Sequence, residues 1–155
     1  YRTVAHTPII QRQAFAAQPW AEELGRIFAA REPEVPLEIH VASARLAIDA
    51  DPDLLAQVLI NLLQNAAQAM AGQKRPPRLA LRLFPDREAL AIEVEDNGPG
   101  VPEGLRQDVF LPFFTTRATG TGVGLNLARQ IVVAHGGSIA ITDAPGGGAL
   151  FRILL

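Results

Sequence analysis

The chain has 155 residues, 48% of them apolar and 19% charged, which suits one globular domain with a substantial core and argues against a second full domain. A formal net charge of -2 gives no basic footprint for nucleic acid, and no run approaches the roughly 18 uninterrupted apolar residues of a membrane span. The absence of cysteine excludes disulfides and thiolate chemistry and fits a cytoplasmic domain without membrane contact; with Tyr1 as first residue the sequence is expected to be a fragment, with room for an upstream targeting or membrane segment.

Residues 1–5 read as the frayed end of a helix, and Pro8 disfavours helix just before it. Residues 1–12 are therefore expected to be the remnant of an upstream helix and a linker, with the folded domain over 13–155. From Pro19 to Arg31, Trp20, Leu24, Ile27 and Phe28 recur at helical spacing. Two alternating runs follow, PLEIHV (36–41) and RLAIDA (45–50), which predict strands paired as a hairpin.

Asp51 is placed to cap a long helix that continues to about Ala71, with Pro52 in its first turn and Leu54, Leu55, Val58, Leu59, Leu62 and Leu63 forming a wide apolar stripe. RLALRLF (78–84) and ALAIEVED (89–96) read as adjacent strands joined by a polar turn near Pro85 and Asp86. Residues 97–121 are rich in Gly, Pro and Thr, with one short helix near Leu105, and a connection of that length inside a compact domain is a mark of function or disorder. A helix closed by Gly136 and Gly137 follows, then two terminal strands around the turn at 146–148. Periodicity alone supports an α/β or α+β domain.

Three features carry chemistry. Asn61 and Asn65 stand four apart on the long helix, hence on one face, within a surface otherwise of leucine and alanine. A buried amide must find hydrogen-bond partners, so a structural network accounts for them as readily as a metal site in which an amide oxygen ligates Mg²⁺. DNGPG (96–100) places a carboxylate at the end of an apolar strand, followed by alternate glycines, and taken alone is ordinary turn chemistry. GTGVGL (120–125) leads three glycines into a helix, exposing N–H groups and the positive end of the helix dipole to an anion. The segment before it is a Thr-rich loop rather than a strand, which removes the dinucleotide-fold context, and the phosphate-loop lysine is absent.

In order, NLLQNAAQAM, DNGPG, VFLPFFTTR (109–117) and GTGVGL resemble the Asn box, first glycine box, aromatic box and second glycine box of the GHKL superfamily, specifically sensor histidine kinases. The aromatic box and the HGG segment resemble the nitrogen-regulatory branch. The resemblance spans about residues 51–155, and four boxes in order are far more specific than any one glycine motif. It implies an α/β sandwich of the Bergerat type, a mixed sheet covered on one face by helices with nucleotide held under a mobile lid. It also implies ATP and Mg²⁺ as cofactors, with Asn65 as metal ligand, Asn61 supporting the same polar cluster, and Asp96 accepting the adenine amino group. Gly98, Gly100 and Val101 would approach the base. Thr116, Arg117, Gly120, Thr121, Gly122, Val123, Gly124 and Leu125 would form the phosphate-facing lid, and Phe110 and Phe113 would anchor it. Arg117 stands where such kinases often carry lysine, and Ala149 where they often carry threonine.

The activity so implied is transfer of the ATP γ-phosphate to a histidine on a dimerisation domain of the same full-length protein, with a response regulator downstream. The isolated domain is expected to be a monomer and the full-length kinase a homodimer. No histidine here lies in a phosphoacceptor motif: His6 sits near the chain end, His40 on a strand, and His135 at a helix end. Two other readings compete. A GHKL-type ATP hydrolase, of the gyrase, mismatch-repair or heat-shock chaperone kind, typically carries a water-activating glutamate four residues before the metal-binding Asn, where this chain has Asn61. A degenerate nucleotide-binding interaction module would lack the chemistry, yet all the main boxes are intact.

Overall fold

The computed structural model describes residues 8–111 and 123–155. The elements in order are β1 (Gln13–Ala16), α1 (Ala17–Arg31), β2 (Leu37–Val41), β3 (Ala47–Ala50), α2 (Pro52–Met70), β4 (Leu79–Asp86) and β5 (Ala89–Asp96). Two single-turn 3-10 helices follow, Glu103–Leu105 and Asp108–Phe110, and then α3 (Val123–Ala134), β6 (Ser138–Asp143) and β7 (Ala149–Leu154). The main sheet runs β2-β4-β5-β7-β6 and is mixed, because β2 lies parallel to β4 while the other neighbours are antiparallel.

Alternation along the strands decides which face the helices cover. Leu79, Leu81 and Leu83 of β4, Ile92 and Val94 of β5, and Phe151 and Ile153 of β7 point into a core closed by Leu55, Leu59, Leu62 and Leu63 of α2, with Phe28 of α1 and Ile131 of α3. Each such side chain contributes roughly 1.5–3 kcal/mol by leaving water. Among the described residues the opposite face carries no helix and instead holds an ion-pair row. Glu93 accepts from Arg82 at 3.1 Å and from Arg152 at 2.7 Å, and Arg82 also reaches Glu95 at 2.6 Å. The expected sandwich with helices on one face is the fold observed.

Residues 36–41 and 45–50 do not form the expected hairpin. β2 pairs with β4, and β3 pairs antiparallel with β1 in a separate two-stranded sheet. A tight turn separates them, in which Leu46 N–H donates to the Ser43 carbonyl at 3.0 Å and Arg45 N–H to Ser43 Oγ at 3.1 Å. Ala17 N–H then donates to Leu46 O at 2.9 Å, drawing β3 to the start of α1 and away from β2. The β4–β5 turn also falls later than expected: Pro85 and Asp86 remain in the ladder, and the reversal occurs at Arg87, whose φ is 58°.

The caps agree with the sequence. Asp51 Oδ1 accepts from the N–H of Asp53 and Leu54 at the start of α2. Gly136 takes φ 80° after α3, and Gly137 N–H reaches back to Val132 O at 3.0 Å, closing the helix in a glycine-terminated turn.

Candidate functional site

β5 delivers Asp96 to the end of the sheet, where the residue is only 4% exposed. Oδ1 accepts the backbone N–H of Gly98 at 2.8 Å and that of Ala149 at 3.3 Å, while Oδ2 accepts from none of the described residues. Burial holds the carboxyl above its ordinary pKa, and the two N–H donors only partly offset it. Ala149, which has no side-chain hydroxyl, thus serves Asp96 through its backbone.

Glycines keep the surrounding backbone close. A Cβ on Gly98 would lie 3.1 Å from Asp96 Oδ1 and 3.4 Å from the carbonyl of Ala69, and one on Gly100, whose φ is 79°, would lie 3.1 Å from Gly148 O. Gly148, at φ 101°, is the most constrained, since its Cβ would fall 2.0 Å from the Asp96 carbonyl oxygen. The sequence marked 146–148 as a turn. Three consecutive glycines were the available sign that another strand end passes against it.

Asn61, Asn65 and Ala69 occupy one i, i+4 row of α2. At one end of that row Ala69 meets the Gly98 turn, and at the other Asn61 Nδ2 faces the Gly124 carbonyl at a long 3.5 Å. With a rise of 1.5 Å per residue, the row spans about 12 Å. Asn65 lies between, half-buried, and its side chain makes no hydrogen bond to another described residue. Of the residues singled out in the sequence, the fold sets Asn61 beside Gly124 at one end of this row and Asp96 beside Gly98 at the other.

Val101 is half-buried, and its carbonyl accepts from Arg106 Nε at 3.1 Å while Arg106 also holds Asp143 at 2.6 Å. Phe110 is buried in the core, with the Arg129 guanidinium 5.9 Å from its ring centroid. Leu125 packs partly buried against the core. Val123 begins α3. Phe113, Thr116, Arg117, Gly120, Thr121, Gly122 and His6 lie outside the described residues.

Two polar assemblies had no counterpart in the sequence reading. His135, buried at the end of α3, accepts the Asp51 N–H on Nε2 at 3.0 Å and lies 2.8 Å from Ile131 O through Nδ1, so the partners fix a neutral ring with its proton on Nδ1. Arg12 donates to the His135 carbonyl at 2.6 Å, and Gln11 N–H to Asp51 Oδ2 at 3.0 Å, tying residues 11 and 12 to two helix ends. The second assembly surrounds Asn97, whose amide bonds with Gln73, Pro76 and Arg78. Both are made between residues distant in sequence, which no local pattern announces.

The residues present fit a nucleotide. A carboxylate oxygen unpaired among the described residues, a backbone cradle that any Cβ would fill and an amide row leading to the first turn of α3 offer, in turn, an acceptor, room and N–H donors of the kinds a nucleotide's base and phosphates can use. Among the described residues no group of three or more His, Cys, Asp or Glu is placed to hold a metal, so a cation here would rely on amide oxygen, phosphate and water, a donor set that suits Mg²⁺.

Sequence and structure comparisons point the same way. A sequence model of the histidine kinase-, DNA gyrase B- and HSP90-like ATPase family matches residues 50–155. The signal transduction histidine-protein kinase AtoS of Escherichia coli (strain K12) is 44% identical over 108 residues, 70% of this chain and 17% of that protein. The catalytic domain of histidine kinase ThkA, in a nucleotide-free form, superposes with a TM-score of 0.83 at 28% identity over 94% of this chain and 95% of its own. ThkA in complex with the response regulator protein TrrA matches 94% of this chain and 42% of that one, at 26% identity and a TM-score of 0.79. The chain belongs to the histidine kinase-, DNA gyrase B- and HSP90-like ATPase family. Within it, this is an ATP-binding catalytic domain of the sensor histidine kinase kind, spanning less than a fifth of the length of AtoS. No helix among the described residues is long and apolar enough to cross a membrane.

Proposed function

We propose that the domain holds Mg-ATP along the α2 row and donates its γ-phosphate to a histidine on a separate dimerisation domain of the full-length protein, from which a response regulator takes it. The observation that carries this reading is the single helix face that joins the buried Asp96 turn, through Asn65, to Gly124 in the first turn of α3. Asp96 Oδ2 accepts the adenine amino group, and Gly98, Gly100 and Val101 bring backbone close to the base. Asn65 is the protein's ligand to Mg²⁺, which when bound neutralises phosphate charge and orients the transferring group. Asn61 holds Gly124 and so the start of α3, whose N-terminal N–H groups face phosphate. Arg117 places a cation at the terminal phosphate, and Thr116, Gly120, Thr121, Gly122, Val123 and Leu125 complete the closing segment.

Catalysis on this account is positioning and charge neutralisation. Asn61 carries an amide and cannot take a proton from water, so hydrolysis without an acceptor is slow. Mixing the domain with radiolabelled ATP and a separately purified histidine-bearing domain tests the proposal. Label should move to the added domain and leave His40 and His135 unlabelled. Rapid phosphate release without an acceptor, or label on this chain's own histidines, would overturn it.

A further inference from the structure

The Asp96 turn is gripped from two sides. On one side the glycine turn at 146–148 presses against it, with Gly148 leaving no room for a side chain. On the other, the connection from α2 to β4 wraps around Asn97. Its Oδ1 accepts from Gln73 Nε2 at 3.0 Å and from Arg78 N–H at 2.9 Å, and its Nδ2 donates to the Pro76 carbonyl at 3.0 Å. The Asn97 backbone N–H donates to Arg78 O at 3.2 Å, and Arg75 Nη2 donates to the carbonyl of Asn97 and, at 3.4 Å, to that of Gly98. Asn97 thus makes full use of a side chain with two faces, one accepting and one donating, and both are spent on a single loop.

That loop belongs to neither strand of the Asp96 turn, and its residues, 71–78, are exposed or half-buried. Arg75 and Arg78 are exposed, and they border a cleft of about 350 Å³ on the sheet face that carries no helix, together with Glu38, Arg82 and Glu95. What the clamp does fix is the peptide between the residue whose carboxylate is buried and the glycine whose N–H orients it. Rotation of the Asn97 peptide would swing the Gly98 N–H away from Asp96 Oδ1, and with it the direction of Oδ2.

We propose that Asn97, held by Gln73, Arg75 and Arg78, is a positioning residue that sets nucleobase selectivity by fixing the Asp96 carboxylate toward an exocyclic amine. The proposal rests on the reading of Asp96 as the adenine acceptor. A base that presents a carbonyl where adenine presents an amine meets a fixed acceptor and is rejected; with the clamp removed the carboxylate turns and the rejection weakens.

The test measures ADP and GDP affinities by calorimetry for the parent chain and for Asn97→Ala, Asn97→Asp, Gln73→Ala, Arg75→Ala and Asp96→Asn, with thermal unfolding alongside. Asn97→Ala should weaken ADP binding by about tenfold and narrow the preference for ADP over GDP, an effect of the size expected when a buried polar partner is misdirected. Asn97→Asp keeps the acceptor for Arg78 and loses the donor to Pro76, so it should restore part of the preference. Gln73→Ala and Arg75→Ala, which alter a half-buried and an exposed residue of the loop, should narrow it by a smaller factor and keep the proposal testable if Asn97→Ala unfolds. An ADP-to-GDP ratio unchanged from the parent in folded Asn97→Ala and in both loop variants, while Asp96→Asn abolishes the preference, overturns the inference alone. A preference that survives Asp96→Asn overturns the adenine reading beneath it.

Discussion

Two aspartates, both buried, stand at opposite ends of the structural logic. Asp51, 7% exposed, caps α2 and takes three backbone N–H bonds, from Leu54, Gln11 and Asp53, which hold its carboxyl below the ordinary range. Asp96, 4% exposed, takes two on a single oxygen, and burial holds its carboxyl above that range. A carboxylate satisfied by its own chain stabilises the fold, and one left short of partners costs stability and is free to bind. The same residue type is a staple in one place and, on the proposed reading, a receptor in the other.

The largest effect should come from removing the room that the receptor depends on. Gly148→Ala would drive a Cβ into the Asp96 carbonyl at a φ that side chains rarely adopt. The expected loss exceeds about 3 kcal/mol, read as a fall in melting temperature on the order of 10 °C. A variant that melts with the parent would show that the two strand ends are not pressed together.

The staple should give next. Asp51→Ala removes the cap and the grip on Gln11, costing about 2 kcal/mol in denaturant unfolding, with nucleotide affinity kept. Titration sharpens the contrast. The lowered pKa of Asp51 means that its contribution is complete above the unfolded carboxylate range and is lost as pH falls through the folded value. Asp96 has the opposite sign: its raised pKa makes the native state the better proton binder, so its cost appears as pH rises through the folded value. Unfolding curves of Asp51→Asn and Asp96→Asn across the acid range should therefore diverge from the parent in opposite directions. Parallel curves would erase the distinction.

The smallest of these effects concerns Asn65. Asn65→Ala should weaken Mg²⁺-dependent ATP affinity by about tenfold, near 1.4 kcal/mol, and leave the Mg²⁺-free affinity unchanged. An unaltered Mg²⁺ dependence would take Asn65 out of the metal site.

The sequence was informative where function and structure are written in consecutive residues. The Asp51 cap, the stripe of α2, the Asn61–Asn65 spacing and the glycine stop after α3 all follow from local chemistry, and order among the boxes raised weak motifs to a family. It was silent where the decisive contact is long-range. QAFA offers no strong strand pattern, and β1 exists because Gln13–Ala16 finds β3 as partner, which also removed the hairpin expected for 36–50. Nothing local told Asn97 from turn punctuation, since its partners at 73–78 meet it only when β4 and β5 pair. His135 reads from the sequence only as a residue at a helix end, and its bond to Asp51 spans 84 residues.

The most direct test of the central contrast is to titrate Mg-ATP into Asp96→Asn and Asp51→Asn side by side and to melt both proteins at neutral pH. In Asp96→Asn the side-chain oxygen stays with the N–H of Gly98 and Ala149, which turns the new N–H₂ toward the adenine amine, donor against donor. The account predicts at least about a tenfold loss of affinity with a melting temperature equal to or above the parent's. Asp51→Asn should bind as the parent does and melt lower. Parent-like ATP affinity in Asp96→Asn, or a loss of affinity confined to Asp51→Asn, would contradict the assignment of Asp96 as the residue that reads the nucleotide.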